Sequence, residues 1–242
     1  MATTRTQHAD VERLRAALID MTAAQGATVE QLAAPPGYAH LPLAIIDSVY
    51  SLRSPYSAAR AAVSAYCAHA NIEDRGTAGG ANRQLVEHTV ADFLSEISDL
   101  DGDELATCFG GARYKAPGTN VLKAEVCVAA GDALRVADVN TRRDLDDDTR
   151  FASARGNWKA VRGLGQQSWS YFTMLVGVDD WKVDTWVNRF VNNAIGRAVN
   201  ATEARGLLDA AKSTLETQLG ASLSMRALDH AIWRSASGRP PR

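Results

Sequence analysis

An all-α fold is what this sequence predicts, and three observations carry the prediction. Apolar residues recur at three- and four-residue steps along most of the chain, as on the buried stripe of an amphipathic helix. Alternating apolar and polar runs, the mark of a half-buried strand, are sparse. Glycine- and proline-rich breakers ("APPGY", "SPY", "RGTAGG", "APGTN") cut the chain into helix-length segments.

Taken in order, Val11, Leu14, Leu18 and Met21 form one stripe on a first helix that ends near Gly26. After "APPGY" a second helix is expected from about Leu41 to Leu52, and after "SPY" an alanine-rich one through "AARAAVSAYCAHA". From Gln84 to about Ile97, Leu85, Val90, Phe93, Leu94 and Ile97 share a face, and an alanine- and valine-rich segment spans about Val121 to Leu134. "LRVADVNTRRDLDDDTR" reads as a solvated connector or short surface helix. "FASARGNWKAV" leads to a glycine turn and a helix to about Val176; three amphipathic helices then end near Trp233, with "SGRPPR" frayed.

Composition narrows the function. With 242 residues, 46% apolar and 22% charged, the chain can bury a core in one or two compact domains. A net charge of -2 argues against a globally basic surface, so nucleic-acid binding would need a local patch. Cys67, Cys108 and Cys127 lack CxxC spacing, and the five histidines lack HxxxH spacing, so neither a disulfide framework nor a metal site is expected. No apolar leader or membrane-length apolar run is seen, and the chain reads as cytoplasmic.

The richest stretch is "VRGLGQQSWSYF", residues 161–172. A helix carrying Trp158 and Val161, a tight turn Gly163-Leu164-Gly165 and a helix starting near Gln166 make a helix–hairpin–helix. Without Cβ atoms a phosphate can approach that backbone, and the N–H groups at the positive end of the second helix favour an anion there. Downstream, "KVDTWVNRF" supplies Lys182, Val183, Asp184, Thr185 and Arg189, with Asp184 19 residues beyond Gly165.

Hairpin and "VDT" together resemble the helix–hairpin–helix DNA glycosylase superfamily, the endonuclease III-like (HhH-GPD) enzymes, about one residue short of that family's usual interval. "LPLAIIDSVYSLRSPYSAARAAV" is similar, more weakly, to the family's first core helix, the loop beneath the DNA and the next helix. The resemblance implies a two-lobed helical unit: core helices over about residues 40–200, the hairpin at about 151–177, and terminal helices at about 7–25 and 202–236 packing as the second lobe.

The resemblance implies a monomeric protein that binds double-stranded DNA with a damaged or abasic site and hydrolyses the N-glycosidic bond of a damaged or modified base. Asp184 would be the catalytic carboxylate, stabilising positive charge on the sugar, and aspartate also suits the N-cap of "TWVNRFV". Gly163, Leu164, Gly165, Gln166, Gln167, Lys182 and Arg189 would contact DNA. Tyr50, Ser51, Trp169 and Tyr171 are candidates for the base pocket or the wedge that fills the gap, core packing being the competing role for the aromatics. Carbonyls at Gly163 and Gly165 would suit a monovalent cation. Over residues 151–197, six basic residues (Arg155, Lys159, Arg162, Lys182, Arg189, Arg197) face three acidic ones (Asp179, Asp180, Asp184), a local excess of positive charge.

Three departures matter. Bifunctional members carry a lysine where this chain has Gln167, or Gln166 if the turn shifts by one, and an amide cannot form the imine that strand cleavage needs, so no β-lyase activity is expected. Trp169 replaces a small residue, and the iron–sulfur loop has no counterpart, since Cys127 is the last cysteine. Two alternatives stay open: a catalytically inactive DNA-binding relative, and a helical protein–protein interaction module.

Overall fold

The computed structural model describes residues 2–77 and 85–237, and among these the chain is all-helical. Two compact units emerge: a terminal unit from Met1–Pro35 with Asp179–Arg242, and a middle unit, Pro36–Val178. Among the described residues no helix is long and apolar enough to cross a membrane.

The middle unit is built around α2 (Leu41–Tyr50), whose ten residues are all buried. A helix buried on every side has no solvent face to keep and becomes the axis of its domain. Around it pack α3 (Tyr56–His69), α4 (Val90–Ile97), α6 (Lys123–Val136) and α8 (Gln166–Leu175), while α5 (Gly102–Cys108) lies against α3 and α6. The pair α7 (Asp148–Ala160) and α8 is fixed by a cluster of rings. Trp158 stacks on Phe172 at 4.7 Å between centroids, and Trp169 meets Phe151 edge-on at 5.2 Å.

The terminal unit joins α1 (Ala2–Ala24) to α9 (Thr185–Ile195), α10 (Ala201–Leu219) and α11 (Met225–Ser237). Val11, Leu14, Leu18 and Met21 are all buried, as the stripe predicts, against Val187, Val191 and Ile195 of α9 and Leu207, Leu208, Ala211 and Leu215 of α10. Side chains and glycines set the ends. Asn200 accepts from the N–H of Glu203 to start α10, and Gly196 and Gly220, both left-handed, close α9 and α10.

Two local expectations change, and a third, a short helix in the acidic connector, holds. The fourth helix starts at Val90 because Thr89 and Asp92 form a reciprocal cap there; the expected start at Gln84 lies outside the described residues. A further helix, α5, begins where Asp101 accepts from the N–H groups of Asp103 and Glu104. The acidic connector contains a 3-10 turn over Arg142–Asp146. Of "RGTAGG" and "SGRPPR", the parts beyond residues 77 and 237 also lie outside the described residues.

Candidate functional site

The hairpin belongs to the middle unit. Gly163 has φ +93°, a conformation that L side chains rarely adopt, and a Cβ there would come within 2.8 Å of the Ala116 Cβ. Its turn therefore rests directly on the 114–123 loop, which is tied by Ala116 N–H to the Val121 carbonyl (2.9 Å) and Lys123 N–H to the Tyr114 carbonyl (2.8 Å). Gly165 is different: its backbone is extended, and a Cβ there would meet nothing within 4 Å. Only Gly163 needs to be glycine for the turn; Gly165 leaves open space beside the start of α8.

Ser168 locks this geometry. Its hydroxyl, almost fully buried, donates to the Gly165 carbonyl (2.8 Å) and accepts from the Gly165 N–H (2.9 Å) and from Trp158 Nε1 (3.0 Å). One oxygen thus ties the core tryptophan of α7 to the turn. Ser168→Ala is expected to destabilise the protein by about 1–3 kcal/mol, because the buried Trp158 Nε1–H and the half-buried Gly165 N–H lose their acceptor. Urea unfolding checks it. The Gly165 carbonyl also accepts from the Trp169 N–H, so both its lone pairs are engaged and the expected cation contact is not open to it.

Exposed Arg155, Lys159 and Arg162 flank the hairpin in sequence, and exposed Lys115 precedes Ala116, on which Gly163 rests. Arg155 forks onto Gln166 Oε1 at 2.9 and 3.2 Å, while Gln166 and Gln167 are themselves exposed and Leu164 half-buried. The pocket candidates are placed otherwise than a wedge requires. Tyr50 and Trp169 lie in the core, with 0% and 2% exposure, and a ring with no exposed surface has none to offer a base. Ser51 is half-buried, its hydroxyl on the Ser48 carbonyl. Tyr171 is directed at Asp47, a fully buried carboxylate that also accepts from Tyr38 (3.4 and 2.8 Å). Burial, reinforced by the Asp47 charge, pushes both phenols up, so they stay neutral donors.

Sequence reasoning missed Lys123. Its ammonium, 1% exposed, donates to the carbonyls of Tyr50 (2.9 Å) and Leu52 (2.6 Å) and to the Ser54 hydroxyl (2.7 Å). A cation at the C-terminal end of α2 meets the negative end of its dipole, and it braces a turn whose exposed tip, Arg53, is left-handed at φ +49°. Burial pushes Lys123 down to about 8. The legible signal was a lysine in register with Cys127, Ala130 and Leu134 on the apolar face.

Asp184 belongs to the terminal unit, at the end of a strap, Asp179–Asp184, anchored at nearly every residue. Asp179 accepts from the N–H groups of Met225 and Arg226 at the head of α11 (both 3.0 Å). Asp180 pairs with Arg205 at 2.6 Å; Trp181 is fully buried and donates to Asp209 at 2.8 Å; Val183 is buried. Asp184 caps α9, its Oδ1 accepting from the N–H groups of Trp186 (2.8 Å) and Val187 (3.1 Å). Among the described residues its Oδ2 takes no hydrogen bond. Lys182 is half-buried, and Arg189 is exposed with its guanidinium over the Trp186 ring at 5.1 Å. Arg197, counted in the basic excess, is committed to Asp10 and Glu203 at 2.8 and 2.6 Å.

A cleft elsewhere in the middle unit is ringed by His40, Glu73, Asp74, Glu87, His88 and Asp92. Its sign is wrong for a nucleic acid, and three of its four carboxylates hold backbone: Asp74 the Gly76 N–H, Glu87 the Arg142 N–H, Asp92 the Thr89 N–H. Among the described residues no group of three or more His, Cys, Asp or Glu side chains is arranged for a metal ion.

No curated protein and no solved structure matches the chain. One family model does, described as a domain of unknown function (DUF8548), over residues 16–237, which takes in the whole middle unit and most of the terminal unit. The chain belongs to the DUF8548 family.

Proposed function

We propose that this chain is a DNA-binding protein of the helix–hairpin–helix glycosylase kind, in which the hairpin grips a phosphate and Asp184 serves hydrolysis of an N-glycosidic bond. The observation that carries the reading is the hairpin: a left-handed Gly163 seated on Ala116, open space at Gly165, and a helix start held rigid by Ser168. Exposed Lys115, Lys159 and Arg162 add charge of the right sign. Asp184 supports the catalytic half, since one carboxylate oxygen fixes the group to α9 while the strap around it is anchored.

In the reaction the bond from the sugar carbon to the base nitrogen breaks, the base leaving with the electron pair. The Asp184 carboxylate stabilises the positive charge on the sugar; water adds to that carbon and its proton ends on the departing base. Gln167 forms no imine, so the strand stays intact until alkali cleaves it. The burial of Tyr50 and Trp169 favours a second reading, a relative that kept the grip and lost the pocket.

Duplexes carrying a panel of modified bases, incubated with protein and treated with alkali, separate the two. A glycosylase leaves an alkali-labile site on one substrate. Asp184→Asn, which keeps the cap, lowers that rate on the order of 100-fold or more. Binding without base release on any duplex supports the inactive relative.

A further inference from the structure

Asp229, in α11, is a carboxyl group with 6% exposure, a costly thing to bury. Its Oδ1 accepts the N–H of Lys182 at 2.9 Å, and the Lys182 carbonyl accepts the N–H of Asp184 at 2.7 Å. Asp179 and Asp180 are held through their own side chains, and Arg205 donates to the Trp181 carbonyl at 3.1 Å; at Lys182 it is a core carboxyl that holds the backbone. The bond falls two residues before Asp184, where the chain makes its last tight turn into the α9 cap. Leucine would fill the same volume more cheaply but would leave the Lys182 N–H without its partner.

We infer that Asp229 is the positioning residue for Asp184: by holding the Lys182 amide it fixes the Lys182–Val183–Asp184 turn and with it the angle at which Asp184 is presented. The functional part rests on the reading of Asp184 as the catalytic carboxylate. The positioning part does not. Burial, with the Asp184 and Asp180 carboxylates adding to it and the Lys182 amide and ammonium opposing, pushes Asp229 up to about 8. At neutral pH it is a neutral acid that holds the turn without placing a second anion beside Asp184.

The test compares Asp229→Asn, which keeps an acceptor oxygen and the shape, with Asp229→Leu and Asp229→Ala, which keep neither oxygen. Amide hydrogen exchange is followed in the full chain by NMR, with alkali-revealed base release on the duplex panel alongside. The expected result is exchange at Lys182 and Asp184 tenfold or more faster in the Leu and Ala variants. In Asp229→Asn it is no more than threefold faster than in wild type. Base release follows the same order, rescued by asparagine. Equal exchange in all four proteins, or an asparagine variant as fast as leucine, overturns the positioning role. Absence of base release from the wild type sinks the glycosylase reading instead, and the exchange comparison still decides the role of Asp229.

Discussion

Asp229→Asn makes the protein more stable at pH 8 than the wild type, and the gain shrinks as the pH falls toward 4. The folded-state carboxyl is raised from 3.8 to about 8, so between those values the unfolded chain has lost a proton that the folded chain keeps. Stability then falls as pH rises, most steeply across the window from about 4 to 8, and the whole loss is on the order of 5 kcal/mol. The charged groups that set the shift are Asp184, Asp180 and Lys182; asparagine leaves them in place and removes only the titration. Lys123 slopes the other way in a separate window. Depressed to about 8 in the fold, it makes stability rise with pH from there toward its ordinary value of 10.5. Urea unfolding of wild type and variant at pH 4.5 and pH 8 checks the claim: parallel pH dependences would contradict it.

Gly163→Val has the second large effect. The valine must adopt φ near +93° and put its Cβ 2.8 Å from that of Ala116. Left-handed backbone costs about 1–2 kcal/mol and overpacking about 1–3 kcal/mol, so a loss of about 2–5 kcal/mol is expected, with the turn displaced from its seat. Gly165→Ala is the control. In extended backbone with no atom within 4 Å of the new Cβ, it should cost less than about 1 kcal/mol. Comparable losses at the two glycines, read by thermal unfolding, would contradict the asymmetry.

That asymmetry marks how far the sequence could be read. "GLG" between a tryptophan-bearing helix and "QQSW" announced the hairpin, because glycines and helix starts are local signals. The α1 stripe and the Asp184 cap were legible for the same reason. Which glycine bears the strain was not, since it depends on Ala116, some 47 positions away. Tyr50 looked available because periodicity says which residues share a face, and α2 has no polar face to orient it. Asp47 and Asp229 were invisible as site-builders, and Lys123 showed only as a lysine on an apolar face: their partners Tyr171, Lys182 and Tyr50 lie far along the chain. The α5 cap, Asp101 with Glu104 three residues on, was in plain sight and passed over, its helix being only seven residues long.

Central to the proposed function is the hairpin's grip on the phosphate backbone of DNA. Its most direct measurement is binding of wild type and Gly165→Glu to a duplex carrying an abasic-site analogue, across a salt series. The glutamate enters open space and leaves the fold intact while setting a carboxylate where the phosphate should sit. Wild-type binding that weakens with salt, by a log–log slope of about -0.9 per phosphate contact, and its loss in Gly165→Glu are what the account predicts. Wild-type protein that does not bind, or a Gly165→Glu protein that binds equally well with the same slope, would contradict it.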